Sequence, residues 1–140
     1  MSDTVSLRRL TQAGALKALH ACIAKAEAMK VPQCIAVTDE GGHLLAFARM
    51  DGAKVLSIDS SIAKARTSAS SRIQTGTIHA EVEIKLALAT DNKLTNLKGG
   101  VPIIIGGQVV GAIGVGSGTG EQDREVALAG VAAIDSATAG

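Results

Sequence analysis

The most constraining feature of the sequence is a pair of apolar runs joined by only two glycines. The runs are Val101 to Ile105 (VPIII) and Gln108 to Val115 (QVVGAIGV), and Gly106 and Gly107 lie between them. Such a loop allows positive φ at both positions, which is the geometry of a tight hairpin. Parallel strands need a crossover of a dozen or more residues, which two glycines cannot provide. The pair therefore predicts antiparallel strands.

A second hairpin is predicted in the first half of the chain. Cys34 to Thr38 (CIAVT) has the pattern of a short buried strand, and His43 to Met50 (HLLAFARM) that of its partner. Asp39 to Gly42 (DEGG) supplies the turn residues between them.

Helices are predicted before, between and after these hairpins. Apolar residues spaced by three and four indicate helices over Thr11 to Lys30, Val55 to Arg72 and Ile78 to Ala89, with Thr11 as an N-cap. Thr119 and Gln122 form a capping box at the start of a last helix. Hairpins alternating with helices predict an α+β fold, an antiparallel sheet flanked by helices, over a single domain of residues 1–140.

Composition excludes several classes of function. The net charge is +1 and the sole aromatic residue is Phe47, so neither a phosphate-binding basic patch nor a base-stacking platform is expected, and nucleic acid is not an expected partner. Cys22 and Cys34 are expected to be buried free thiols. No apolar stretch reaches the length of a spanning helix or a signal peptide, so no membrane association is expected. The sequence predicts a soluble cytoplasmic protein, unless a leader was removed.

Two motifs invite ligand hypotheses and stay open. The segment GVGSGTGEQD, Gly114 to Asp123, joins a strand to a helix but lacks the spacing of dinucleotide and P-loop fingerprints. It is either a close-packed turn or an anion site formed by the loop amides of Gly116, Ser117 and Gly118.

The second motif, His79-Ala-Glu81-Val-Glu83, contains half of the zinc deaminase signature, but the Pro-Cys-x-x-Cys half is missing. His79 and Glu83 would share a helix face. Two ligands without a third do not define a metal site, so no metal is predicted.

A further set of residues suits a ligand that carries carboxylates. The odd-numbered residues from His43 to Arg49 would point to one face of a strand, and Lys64 and Thr67 would share a face of the next helix. Arg49 and Lys64 would then form a cationic pair with the titratable His43 beside it. The alternative is that the two cations are unrelated surface residues. His20, at the edge of an apolar stripe, is either a boundary residue or an axial ligand of a metal-bearing ring.

Four segments, in this order, resemble the GlcG/HbpS-like family, also described as the glycolate-utilisation/haem-binding secreted protein family. They are DEGGHLLAFARMDGA, AKARTSA, GGVPIIIGGQVVGAIGVGSG and EQDREVALAG, and the resemblance covers nearly the whole chain. The family also occurs as the C-terminal domain of propanediol-utilisation corrinoid adenosyltransferases and as a small open reading frame near glycerol dehydratase genes.

The resemblance implies an α+β fold with a five-stranded antiparallel sheet, and a homo-oligomer that is a dimer or larger, often an octamer. It implies haem binding, sometimes with slow haem degradation, and in some members a link to cobalamin or glycolate metabolism. By position, Thr67 matches a threonine implicated in haem coordination, and His20 matches an axial histidine of the corrinoid-associated relatives. The chain departs from the family at Ser71 to Gln74, where many relatives carry an aromatic residue and a proline-containing turn.

Three functions follow. The first is an oligomeric tetrapyrrole-binding module, in which Arg49 and Lys64 meet ligand carboxylates while His20 or Thr67 approaches the metal. The second is a small enzyme in which His43 acts as acid and base and the amides after Gly116 receive negative charge. The third is an accessory protein linked to cobalamin-dependent diol or glycerol metabolism. The first two require a cationic hollow between the His43–Arg49 strand and the Lys64–Thr67 turn, or across a subunit boundary.

Overall fold

The structure, a computed structural model, describes all residues from Met1 to Gly140 and contains five strands and four helices. The strands are β1 Cys34–Asp39, β2 Leu44–Arg49, β3 Gly100–Ile105, β4 Gln108–Gly116 and β5 Ala137–Thr138. The helices are α1 Gln12–Met29, α2 Ser57–Ser71, α3 Ala80–Ala89 and α4 Gly120–Ala132. None of the helices combines the length and apolar character needed to cross a membrane.

The strands form one antiparallel sheet in the order β2-β1-β4-β3-β5. The α+β prediction is thus confirmed, and both predicted hairpins are present as β1–β2 and β3–β4. Gly106 and Gly107 have φ of 57° and 79°, the positive values that a tight two-residue loop requires. The short β5 completes the sheet beside β3.

Helices α1 and α4 cover one face of the sheet and enclose the apolar core. The largest fully buried side chains of this core come from alternate strand positions, among them Ile35, Ile103 and Ile113. Small residues on the helices, such as Ala18 and Gly130, let α1 and α4 approach each other and the sheet. The sparse aromatic content is consistent with this close-packed aliphatic core.

The other face of the sheet is covered by α2, which packs on glycines. A Cβ on Gly114 would stand 2.0 Å from the carbonyl oxygen of Ser61, and one on Gly100 would stand 2.4 Å from that of Lys64. Neither distance is sterically possible, so the backbone of α2 rests directly on β3 and β4. This contact fixes α2 relative to the sheet.

Local signals in the sequence correspond to observed caps and thiols. Thr11 caps α1 by accepting from the amide of Gly14, and Thr119 and Gln122 form the predicted capping box of α4. Cys22 and Cys34 are buried and free, as predicted. Burial raises the pKa of the Cys22 thiol to about 12, which keeps it protonated and unreactive.

A β-bulge in the first hairpin overturns one prediction. Val37 pairs with Ala46 but Thr38 pairs with Leu44, so one extra residue is accommodated on β2. Leu45 consequently packs against the core, whereas Arg49 stands opposite Cys34 on the α2 side. The prediction that the odd-numbered residues from His43 to Arg49 share one face is therefore wrong.

Candidate functional site

A cleft of about 640 Å³ lies at one end of the sheet. Four segments enclose it: the extended chain before α1, the β1–β2 turn, the C-terminal end of α2 and the β3–β4 hairpin. Its side chains are mainly polar and cationic, with apolar patches from Leu7, Ala69, Ile104 and Val109. The volume lies within the range of small-molecule and cofactor sites, about 300–1,000 Å³. We call this cavity the large cleft.

The β1–β2 turn places a carboxylate–histidine pair at the cleft. Asp39, the last residue of β1, accepts hydrogen bonds through Oδ1 from the amides of Gly41 at 2.9 Å and His43 at 3.0 Å. The same oxygen lies 3.3 Å from Nδ1 of the His43 imidazole. Asp39 is buried, whereas the His43 side chain is largely exposed, so the carboxylate orients a ring that stays open to solvent.

The turn keeps Asp39 ionised. Burial alone would raise its pKa, but the amides of His43 and Gly41 and the charges of His43 and Arg9 outweigh that effect. The pKa of Asp39 therefore lies below its ordinary value of 3.8. An ionised carboxylate that accepts from Nδ1 favours the tautomer whose Nε2 is free to bind a metal or accept a proton.

Three arginines line the large cleft, and sequence reasoning missed all of them. Arg9 pairs with Glu40, with 2.5 Å between Nε and Oε1, while Arg8 and Arg72 make no ion pair within the chain. Arg72 is the C-cap of α2 and has a φ of 65°. The Arg8-Arg9 dipeptide was a visible signal, but its position beside His43 depends on how the extended N-terminal segment packs.

The residues predicted to form a cationic hollow are not brought together in one cavity of the chain. Lys64 is buried, donating to Asp123 Oδ2 at 2.9 Å and to the carbonyl oxygen of Val115 at 2.7 Å, so its charge is compensated internally. His43 lines the large cleft, and Lys64 lines a different pocket. The predicted hollow between them does not exist within a single chain.

The other predicted ligand-binding residues also lie apart from the large cleft. The Thr67 hydroxyl donates to the carbonyl oxygen of Ala63 at 2.7 Å and accepts from the amide of Thr95 at 2.9 Å, so it serves α2 and the chain before β3. Arg49 is exposed at the end of β2, and His20 is exposed on α1. Their roles in ligand binding stay predictions.

The predicted loop amides line a second, smaller pocket of about 250 Å³. Ser117 and Gly118 belong to its wall together with Lys64, and Gly116 packs beside it against Ser57 and Ser60. The amide of Gly118 donates to Asp123 Oδ1 at 3.0 Å. One of the three predicted donors is therefore already engaged within the chain.

No group of three or more His, Cys, Asp or Glu side chains is close enough to hold a metal ion. Glu83 accepts from the side-chain amide of Asn96 at 2.7 Å, and His79 is the N-cap residue of α3. The His79–Glu83 motif thus lies at the start of a helix, where Glu83 fastens the following loop.

A protein-family model described as haem degrading protein HbpS-like matches residues 10–132. The chain belongs to the HbpS-like family. The resemblance that the sequence motifs indicated is thereby confirmed.

Two curated proteins are also similar to this chain in sequence. An uncharacterized 15.0 kDa protein from the dhaT-dhaS intergenic region of Citrobacter freundii is 38% identical to the HbpS-like chain over 132 residues, covering 91% of this chain and 93% of that protein. Protein GlcG of Escherichia coli K12 is 45% identical over 82 residues, covering 58% of this chain and 61% of GlcG.

Solved structures share the fold over nearly the whole HbpS-like chain. Klebsiella pneumoniae ORFY has a TM-score of 0.89 at 33% identity, covering 95% of both chains. A double mutant of Streptomyces reticuli HbpS has a TM-score of 0.84 at 30% identity, covering 96% of this chain and 92% of that one. A PduOC:haem complex has a TM-score of 0.85 at 23% identity, covering 94% and 98%.

Proposed function

We propose that this HbpS-like chain binds haem or a related tetrapyrrole in the large cleft, with His43 toward the metal and arginines toward the ligand carboxylates. The observation that carries this proposal is the Asp39–His43 pair, with Nδ1 held at 3.3 Å by a buried carboxylate and the rest of the ring exposed. The family description and the haem complex of a protein with the same fold point to the same ligand class.

The large cleft fits haem in three respects. Metal-ligating histidines generally donate their second ring nitrogen to a carboxylate or carbonyl, as His43 does to Asp39. Haem iron takes its axial ligand from the protein and its other ligands from the ring, so a cluster of three protein ligands is not required. Arg8 and Arg72, which lack partners in the chain, match two carboxylates. Bound haem would supply an iron centre for redox chemistry.

The structure favours His43 over the two ligands suggested by the family resemblance. The hydroxyl of Thr67 is held between Ala63 and Thr95, and freeing it would cost two hydrogen bonds. His20 lies on the exposed side of α1, away from the large cleft, so it could meet a tetrapyrrole only on the outer surface or at a contact between subunits.

The decisive experiment is a haem titration followed at the Soret band. The His43→Ala variant is compared with His20→Ala, a matched histidine removal at an exposed site, and with the unchanged chain. We expect saturable binding by the unchanged chain and by His20→Ala. In His43→Ala the bound spectrum should lose its histidine-ligated form and affinity should fall by about tenfold or more.

An unaltered spectrum in His43→Ala, together with an altered one in His20→Ala, would assign the axial ligand to α1 and remove the proposed site. No saturable shift with the unchanged chain would remove tetrapyrrole binding altogether. Continuing the titration with a reductant in air tests haem degradation, which the family description names.

A second candidate function uses the same pair without a metal. A carboxylate that orients a histidine is also the arrangement of a general base, and the neighbouring arginines could hold an anionic substrate. Turnover of a small hydroxy acid that depends on an unprotonated His43 would support it, and turnover retained in His43→Ala would exclude it. Cobalamin is the alternative cofactor, and no feature of the large cleft favours it over haem.

We further propose that the chain functions as a homo-oligomer. None of the ten residues of α3 is buried, and its apolar side chains Ile84 and Leu88 are 70% and 71% exposed. An apolar helix face of this kind is normally covered in solution.

A further inference from the structure

The smaller pocket is a site in its own right, with no lining residue in common with the large cleft. It lies where the N-terminal half of α2, the β4–α4 loop and the chain before β3 meet. Three lysines line it, Lys54, Lys64 and Lys98, against a single carboxylate, Asp123. We call it the lysine pocket. Its volume of about 250 Å³ is well below that of the large cleft.

The charges of the lysine pocket are not balanced from within. Lys64 and Asp123 neutralise each other at 2.9 Å, and both are almost fully buried. Lys98 pairs with Glu121, which is not part of the pocket wall, and Lys54 makes no ion pair. The ion pairs therefore leave one lysine of the wall, Lys54, with an uncompensated positive charge beside a neutral buried pair.

Polar donors surround the same space. Ser57 and Ser60 present hydroxyl groups from one face of α2, and α4 begins at Gly120 on the opposite wall. The capping box occupies the amide of Gln122, which leaves the amides of Gly120 and Glu121 free to donate toward negative charge. Ser117 has a φ of 96° and accepts from the amide of Lys54 at 2.9 Å, which fixes this lysine beside the loop.

A buried amide without partners lies behind this wall. The side chain of Gln33 is completely buried, and neither its Nε2 nor its Oε1 has a hydrogen-bond partner. Nε2 lies 2.9 Å from the point where a Cβ on Gly118 would stand, and Asp123 Oδ1 is equally close to that point. Buried polar groups are rarely left unpaired, and this amide lies directly behind Gly118 of the pocket wall.

We propose that the lysine pocket binds a small oxyanion, the carboxylate or phosphate group of a small molecule. Lys54 supplies the uncompensated charge, and Lys98 adds an ammonium group that it shares with Glu121. The serines and the first two amides of α4 supply hydrogen bonds, and the Lys64–Asp123 pair forms the floor. A tetrapyrrole does not fit in this volume, so the inference is independent of the proposal for the large cleft.

The test uses inorganic phosphate and acetate as separate probes, titrated into the unchanged chain at low ionic strength and followed by amide chemical shifts. Saturable shifts concentrated at Ser117 to Gly120 are expected with at least one probe. Saturation with phosphate alone identifies the phosphate class, and saturation with acetate alone identifies the carboxylate class.

The matched variants are Lys54→Gln in the pocket and Lys93→Gln outside it, both at exposed lysines, so neither is expected to disturb folding. Lys54→Gln should weaken binding about tenfold, the loss of one charge-assisted contact, while Lys93→Gln should leave it unchanged. Equal weakening of probe binding in both variants would show that only the net charge of the chain matters, and this would overturn the proposal. An absence of saturation with both probes would overturn it as well, whatever the outcome of the haem titration.

Discussion

Among single residues, Asp39 has the largest consequences for the large cleft, since one carboxylate orders the turn, orients His43 and faces Arg9. Its oxygen Oδ1 accepts from two amides of the turn and lies beside the imidazole. Its Oδ2 lies 3.7 Å from the Arg9 side chain. These contacts favour the ionised form over the protonated form, which makes the stability of the hairpin dependent on pH.

We predict that Asp39→Asn destabilises the chain by about 2 kcal/mol near neutral pH, because the turn amides lose a charged acceptor. The folded pKa of Asp39 lies below its ordinary value of 3.8, so the contribution is present above that value. It is lost as pH falls through the folded pKa. Urea unfolding from about pH 7 to about pH 3 should show the free energies of unfolding of Asp39→Asn and of the unchanged chain converging in the acid range.

Asp135→Asn is the matched control, because the side chain of Asp135 is 99% exposed. It should leave the free energy of unfolding within about 0.5 kcal/mol of the unchanged chain at every pH. A constant difference between Asp39→Asn and the unchanged chain across the acid range would contradict the assignment.

Lys64 illustrates what spacing along the sequence cannot reveal. Its position on a helix face with Thr67 was predictable, and from that face it was expected to meet a ligand. Its partner Asp123 lies 59 residues later in another helix, and no local pattern joins the two. A buried charge is paired when the fold allows it, and the pairing depends on long-range packing that the sequence does not show.

At the scale of elements, predictions based on local physics hold best. The Gly-Gly hairpin, the Thr11 cap and the Thr119–Gln122 capping box depend on a few neighbouring residues, and all three are confirmed. The β-bulge at Leu45 depends on how β2 aligns with β1, and strict alternation was the wrong rule there. The large cleft was not predictable because its walls come from four separate segments.

We predict that Gly114→Ala destabilises the chain by at least about 3 kcal/mol, since its Cβ would overlap the α2 backbone. The matched control is Gly107→Ala, where no atom lies within 4 Å of the added Cβ and only the positive φ is unfavourable. Gly107→Ala should lower the free energy of unfolding by about 1 kcal/mol. Urea unfolding measures both, and a similar loss in the two variants would show that α2 can shift away from the sheet.

At the scale of the whole molecule, α3 is the element least integrated into the chain. It packs on no other helix or strand to the extent that the remaining helices do, and its apolar side chains face outward. An exposed apolar face of this kind suits a contact with a second copy of the chain.

We predict that light scattering gives a mass that is a multiple of 14.1 kDa for the unchanged chain at micromolar concentration. The double variant Ile84→Glu, Leu88→Glu should shift the mass toward the monomer, because two charges would be buried in an apolar contact. Lys85→Glu, on the same helix, serves as the control for added negative charge. A monomeric unchanged chain would contradict the prediction.

The direct contact between α2 and the sheet has a consequence for the two cavities together. Ser57, Ser60 and Lys64 of this helix border the lysine pocket, while Ala69 and Ser70 border the large cleft. The centres of the two groups are about nine residues apart, which corresponds to about 14 Å of helix. Because its backbone rests directly on Gly100 and Gly114, α2 has little room to shift and acts as a rigid spacer. Occupants of the two cavities would therefore be held at a set separation.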